Sequence, residues 1–232
     1  NDATEKADGT ETRTCTVCKT ETETRTKEGS KLPPSVVIQD TSKVFTDVKA
    51  GKWYTKAVDY CYSYGFIAGT TATEFGRDTN VTRGMFITIL ARIAGVDTGK
   101  TANKVATKFT DVKSGKYYTA AIKWANDNGI VSGTSETTFG PENAISRQDL
   151  CVMIVNYAKF MNIALAEKEA EIAFSDASKI SKYARDAVKA CQMADIVNGY
   201  AEGAGFEFRP KNTATRAEAA QILYVFHKTF MA

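Results

Sequence analysis

From Phe45 onward the chain alternates two kinds of apolar pattern with a polar loop between them, three times over. In the first kind apolar residues recur at three- and four-residue spacing: Tyr54, Ala57, Val58 and Cys61; Tyr118, Ala121, Ile122 and Ala125; Ala184, Ala187, Val188 and Cys191. That spacing puts them on one face of an amphipathic helix. Gly65 and Gly129 follow where a left-handed residue ends a helix, and Asp195 takes that place in the third copy. A short apolar run closing on glycine comes next ("FIAG", "IVSG", "IVNG"), then a polar loop ending at Phe75, Phe139 or Phe208. A second helix is expected behind each loop. Its inward residues are Phe86, Leu90 and Ile93; Leu150, Ile154 and Tyr157; Ala219, Leu223 and Phe226. The pattern predicts three helix-loop-helix units of about 55 residues each, an all-α fold.

The three copies align residue by residue. "FTDVKAGKWYTKAVDYC" from Phe45 recurs as "FTDVKSGKYYTAAIKWA" from Phe109, and Gly69, Phe75 and Arg83 meet Gly133, Phe139 and Arg147 at the same 64-residue offset. The third copy starts at Phe174 and gains residues only in its loops, so that Gly199, Phe208 and Arg216 complete the sets. Insertions confined to loops are what a structural repeat tolerates. The expected repeats are 43–97, 107–162 and 172–232, joined by segments of which "ALAEKEAEIA" (164–173) has helical composition. Residues 1–40 differ. Thr alternates with charge in "TETRTCTVCKTETETRT", which predicts an exposed two-stranded ribbon or an extended stalk, and "SKLPPS" reads as a linker.

Composition narrows the function classes. A net charge of +3 over 232 residues argues against a dedicated nucleic-acid binder. No apolar run reaches the roughly 18 residues of a membrane span. The chain opens Asn1-Asp2 and reads as a piece of a longer protein. Cys61, Cys151 and Cys191 fall in apolar helical patterns, as small buried hydrophobes do. Cys15 and Cys18 form one Cys-x-x-Cys pair: two ligands of a four-ligand zinc site, a disulfide, or two free thiols. Beyond that pair no metal site is expected, and no cofactor. The single histidine, His227, lies on an apolar helix without a serine or cysteine partner motif, and no carboxylate pair stands out as a glycosidase dyad. The loops lack the Asp-x-Asp-x-Asp-Gly spacing of a calcium loop. An enzyme is not expected.

Phe-x-Asp-Val, an aromatic several residues on, a glycine-ended apolar triplet, Phe-x-Pro and Thr-Arg-Ala-Glu recur in order through residues 43–232. Together they resemble the S-layer homology (SLH) module, with "TRAE" at Thr215–Glu218 the best single match. The resemblance implies a bacterial cell-surface, wall-associated anchor attached to a larger secreted protein, an upstream passenger in this case. It implies three modules in a pseudo-threefold arrangement. The grooves between modules would bind secondary cell wall polysaccharide, typically bearing ketal-pyruvylated N-acetylmannosamine. The copies depart from the pattern at Met85 and Asp149, which stand where Glu218 does, at Gly76-Arg77 in place of x-Pro, and at Tyr117 and Tyr183 in place of Trp53.

Candidate recognition residues follow from that ligand. Thr215 and Glu218 form a capping box, but Arg83, Arg147 and Arg216 sit in the first turn, where the helix dipole disfavours a cation. A guanidinium binds a carboxylate such as a pyruvyl ketal in a fork, and helix-start amides would add donors. The bland alternative is an arginine that locks adjacent repeats together. Trp53, Tyr117 and Tyr183 would cover a sugar face, or pack in an interface. Asp47, Asp111 and Asp176 would organise the turn by bonding backbone amides, or read hydroxyls. Gly69, Gly133 and Gly199 would admit a sugar to the backbone, or satisfy a turn. The competing functions are peptidoglycan binding, and a protein-interaction or surface-layer assembly module using the same grooves.

Overall fold

A computed structural model describes residues 10–14, 22–26, 36–203 and 205–231. Residues 1–38 form one compact unit and 39–232 another. In the first, β1 (Thr10–Thr14) pairs antiparallel with β2 (Thr22–Thr26), Thr12 opposite Thr24. The alternating Thr pattern therefore makes a ribbon. Cys15 and Cys18 lie outside the described residues.

The second unit carries six helices: α1 (Thr55–Ser63), α2 (Arg83–Ile93), α3 (Thr119–Asp127), α4 (Arg147–Phe160), α5 (Arg185–Met193) and α6 (Arg216–Phe230). Each repeat contributes two of them, and the fold is all-α with loops. The first helices end as their sequences require: Gly65 (φ 70°), Gly129 (φ 68°) and Asp195 (φ 57°) are left-handed. The insertion of the third repeat folds into a small hairpin, β3 (Tyr200–Glu202) against β4 (Gly205–Glu207). The segment 164–173, helical by composition, is irregular. Its amides are taken by the end of α5: Lys168 and Glu169 donate to the Met193 carbonyl, and Ile172 donates to the Gln192 side chain. Fixed hydrogen bonds to a neighbour outweigh a weak intrinsic propensity.

The helices of one repeat do not pair with each other. Instead α2 packs on α3, α4 on α5 and α6 on α1, so the second helix of each repeat meets the first helix of the next and the ring closes on itself. A short amphipathic helix pair cannot bury its apolar faces alone, so stacking completes each core. At the ring centre three backbone bonds run in a cycle: Val81 N–H to Ala214 O, Ala214 N–H to Ile145 O, and Ile145 N–H to Val81 O (2.9, 3.3 and 2.9 Å). Around it Phe86, Leu90, Leu150, Ile154, Tyr157, Ala219, Leu223 and Phe226 are fully buried, each large side chain contributing about 1.5–3 kcal/mol. Ile93 alone of the expected inward set is only partly buried. Cys61, Cys151 and Cys191 are buried free thiols.

Candidate binding grooves between the repeats

Each groove starts from the way a second helix begins. Thr82, Ser146 and Thr215 are extended residues whose hydroxyls accept from the amides of Met85, Asp149 and Glu218. Only Thr215 has the return bond, from its amide to Glu218 Oε2 at 2.8 Å. The two amides before each capped one are spent on the next repeat: Arg83 N–H on Asn143 O and Gly84 N–H on Pro141 O; Arg147 N–H on Asn212 O and Gln148 N–H on Pro210 O; Arg216 N–H on Thr79 O and Ala217 N–H on Arg77 O. The expectation that these amides serve a bound anion is thereby corrected. Buried loop carbonyls need donors, and a helix start supplies them.

The arginine side chains turn the same way. Nε of Arg83, Arg147 and Arg216 donates to the carbonyls of Phe139 (3.0 Å), Phe208 (3.0 Å) and Phe75 (2.8 Å). Nη2 donates to Ser132, Asn198 and Ala68, the residue before each groove glycine. Each guanidinium also lies 4.7–5.1 Å from the ring centre of the same Phe. The three residues are 9, 6 and 7% exposed. Burial pushes the Arg83 and Arg216 pKa values down, against opposing attraction from Asp149 and Asp47 respectively. The cation at the helix start is thus held by carbonyl dipoles and an aromatic face belonging to the next repeat, which is the repeat-locking arrangement. The remaining nitrogen, Nη1, lies 3.8 Å from Asp149 in Arg83 and donates to the Tyr200 hydroxyl in Arg147.

The aspartates and glycines shape the same loops from behind. Asp47 accepts from the amides of Phe75, Gly76 and Arg77 (2.8, 2.8 and 2.9 Å). Asp111 takes those of Phe139 and Gly140, and Asp176 those of Phe208 and Arg209. Their oxygens point into the loop backbone. Burial raises the Asp47 pKa, but the amides of Arg77, Phe75 and Gly76 outweigh it and the net direction is down. Gly69, Gly133 and Gly199 have the loop folded over them. A Cβ there would come within 2.6, 2.7 and 2.7 Å of the Phe45, Phe109 and Phe174 rings, closer than side chains pack.

The aromatics complete the grooves from outside. Trp53, Tyr117 and Tyr183 are 62, 44 and 63% exposed, each beside a buried tyrosine or alanine that anchors its helix. Tyr183, from the third repeat, lies across a groove of about 640 Å³ from Arg83, with Ser132, Gly133, Asp149, Met153 and Asn156 between. Trp53, from the first repeat, closes a groove of about 360 Å³ lined by Arg147, Asn198, Tyr200, Glu218 and Ile222. Both grooves therefore draw on all three repeats. At the remaining junction burial raises the Tyr117 pKa; Glu142 adds to the rise, while the bond with Thr82 and the charges of Arg216 and Arg92 oppose it.

Four contributors were not anticipated. Asp149 stands 3.8 Å from Arg83 Nη1 and accepts from the Tyr183 hydroxyl at 2.6 Å. Glu218 accepts from the Tyr200 hydroxyl at 2.6 Å, while that hydroxyl accepts from Arg147 Nη1 at 3.2 Å. Burial raises the Glu218 pKa, yet the bonds from Tyr200 and Thr215 hold it below the usual carboxylate value. Arg92 is exposed and donates to the Phe66 carbonyl at 3.2 Å, as Asn156 does to that of Ile130 at 3.1 Å. A helical face drawn through Met85, Thr88, Ile89 and Arg92, with its counterparts in α4 and α6, is the signal that finds Arg92 and the two acids. Tyr200 belongs to the inserted hairpin and has no counterpart to flag it. His227 packs against Tyr60, Tyr64 and Phe66 and hydrogen-bonds the Tyr60 hydroxyl at 2.8 Å. Among the described residues no group of His, Cys, Asp and Glu is placed to hold a metal ion, and no helix is long and apolar enough to cross a membrane.

A closed ring of three helix-loop-helix units with an aromatic-arginine groove at each junction defines a repeat module rather than a single undivided domain. The S-layer homology domain model matches residues 44–85, 108–151 and 173–220, more than half of the chain, and the chain belongs to that family. It is similar to an endoglucanase of Bacillus sp. strain KSM-635, 30% identical over 77% of this chain and 18% of the relative. An amylopullulanase of Thermoanaerobacterium thermosulfurigenes is 30% identical over 78% of this chain and 9% of its own length. The S-layer protein sap of Bacillus anthracis is 28% identical over 81% and 22%. The chain thus spans less than a quarter of the length of these relatives, and the enzymes among them match through their S-layer homology regions. The family makes this a cell-wall anchoring module of the bacterial cell surface.

Proposed function

We propose that the module binds secondary cell wall polysaccharide in its inter-repeat grooves, with a pyruvyl ketal on N-acetylmannosamine as the charged determinant, and so anchors a larger surface protein. One observation carries the reading: Trp53 and Tyr183 stay exposed at the mouths of grooves whose floors carry Arg147 and Arg83, and Tyr117 is their exposed counterpart in the second repeat. An exposed aromatic face suits the C–H side of a sugar ring, and a guanidinium edge beside it suits a carboxylate. The arginines serve twice, locking the ring through Nε and Nη2 and offering Nη1 to the ligand, which in the Arg147 groove would replace the bond to Tyr200. Asp47, Asp111, Asp176, Gly69, Gly133 and Gly199 contribute by holding the loops in shape.

Co-sedimentation with purified wall sacculi, before and after mild acid removal of ketal pyruvate, tests this reading. Binding lost with the pyruvate supports it. Binding that survives moves recognition to peptidoglycan or a neutral sugar. No binding to either preparation turns the grooves over to protein assembly.

A further inference from the structure

The helix junctions of the ring differ in one chemical respect. Where α6 packs on α1, the Cys61 thiol lies 3.5 Å from the Ala220 carbonyl oxygen. Where α4 packs on α5, the Cys191 thiol lies 3.8 Å from the carbonyl oxygen of Cys151. These are corresponding positions of the repeat: Cys61 aligns with Ala125 and Cys191, and Ile87 aligns with Cys151 and Ala220. All six residues are fully buried. The ring therefore brings the same two positions together at each of these junctions, and only between α4 and α5 do both carry sulfur. The contact between the thiols also shows in their chemistry. The bond with Cys151, and burial after it, push the Cys191 pKa well above the ordinary thiol value. Neither cysteine lines the two grooves described above.

We propose that Cys151 and Cys191 are a cross-linking site, joined by a disulfide that ties the second repeat to the third. The structure shows the pair reduced. The bacterial cell surface, where the family places this module, is a compartment in which disulfides form and persist. The oxidant is itself a disulfide. One cysteine thiolate attacks a sulfur of that disulfide, which forms a mixed disulfide and expels one thiolate. The second cysteine thiolate then attacks the first cysteine's sulfur and expels the other. The two cysteine protons pass to the departing sulfurs, and the oxidant takes the two electrons that the pair gives up. Both thiols are buried, and that of Cys191 is held protonated. The exchange therefore takes place as the chain folds, or when α4 and α5 open locally. Once formed, the bond is out of reach of reductants. It joins positions 40 residues apart and so restricts the unfolded chain, which makes this junction the hardest place to open the ring.

The test is to refold the whole chain in a mixture of oxidised and reduced glutathione, alkylate the free thiols, and map tryptic peptides without reduction. The expected product joins peptide 148–159, which holds Cys151, to peptide 190–211, which holds Cys191. Cys15 and Cys18 share a different peptide, so their state does not confuse the map. The thermal unfolding midpoint of the linked protein should lie about 5–15 °C above that of the same protein kept in reductant. In Cys151→Ala and in Cys191→Ala the two midpoints should coincide. Both variants should fold, because Ala220 and Ala125 already fill the corresponding places. A natively refolded protein that lacks the link between the two peptides overturns the proposal. So does a linked protein whose midpoint is no higher than the reduced one. A midpoint difference that persists in both variants assigns the gain to other thiols and overturns it too.

Discussion

The floor and the rim of each groove are built by different rules. On the floor the three copies repeat almost without change: an arginine on two loop carbonyls, an aspartate on two or three loop amides, and a glycine beneath a phenylalanine ring. On the rim they diverge: Trp53, Tyr117 and Tyr183; Met85, Asp149 and Glu218; Arg92, Asn156 and Val225. The repeated residues hold the loop backbone of the next repeat in the same way each time, whereas the bonds of the divergent ones differ from copy to copy. Repetition here marks what the ring needs in order to close, because the same junction must form three times. Recognition has room to vary at positions whose bonds the ring does not need in triplicate.

That contrast predicts large stability effects on the floor and small ones on the rim. Arg147→Ala leaves the Phe208 and Asn198 carbonyls and the Tyr200 hydroxyl without their donor. It should cost about 3 kcal/mol in denaturant unfolding. Arg147→Lys should recover only part of the loss, since an ammonium cannot reproduce the fork. A binding defect in Arg147→Ala therefore needs to be read against its stability. Equal stability of wild type and Arg147→Ala would dissolve the distinction between floor and rim.

Gly133→Ala drives a methyl against the Phe109 ring and the Ser135 and Thr138 carbonyls, and should destabilise by about 1–3 kcal/mol in the same assay. At the rim, Trp53→Ala should change stability by no more than about 0.5 kcal/mol, because the side chain is already mostly in water. Its effect should appear instead as weaker retention on wall polysaccharide. A Trp53→Ala protein that unfolds readily would make this aromatic a packing residue after all.

The smallest effect concerns His227 at the α1–α6 junction. Burial holds its folded pKa below the ordinary 6.5. The unfolded chain therefore takes up the proton first as pH falls. The stability that neutral His227 contributes is complete above about pH 6.5 and is lost progressively below it, down through the folded pKa. Denaturation midpoints from pH 7.5 to 5 should show this slope, and His227→Gln should flatten it.

Much of this molecule was legible in the chain. The 3.6-residue spacing found the buried faces of all six helices, because an amphipathic helix must write its core into that period. The left-handed ends at Gly65, Gly129 and Asp195 followed from local sterics. The Thr215–Glu218 box followed from helix-start chemistry. Local rules also misled: 164–173 has helical composition, yet its amides are claimed by the end of α5.

What the sequence determined by itself, then, is the repeat, its helices and the family, all of which depend on short-range periodicity and on motif order. Tertiary structure alone decided how the repeats are joined. Nothing in the spacing says that α2 pairs with α3 rather than α1, that α6 returns to α1, or that an arginine reaches carbonyls in the next repeat. Those are contacts between residues far apart in the chain, 148 positions for Arg216 and Ala68 and 167 for Tyr60 and His227, and they form because each repeat has donors and apolar faces it cannot satisfy within itself. The makeup of a groove belongs to the same class of fact. Arg83 and Tyr183 sit in different repeats, and only ring closure sets them at one opening.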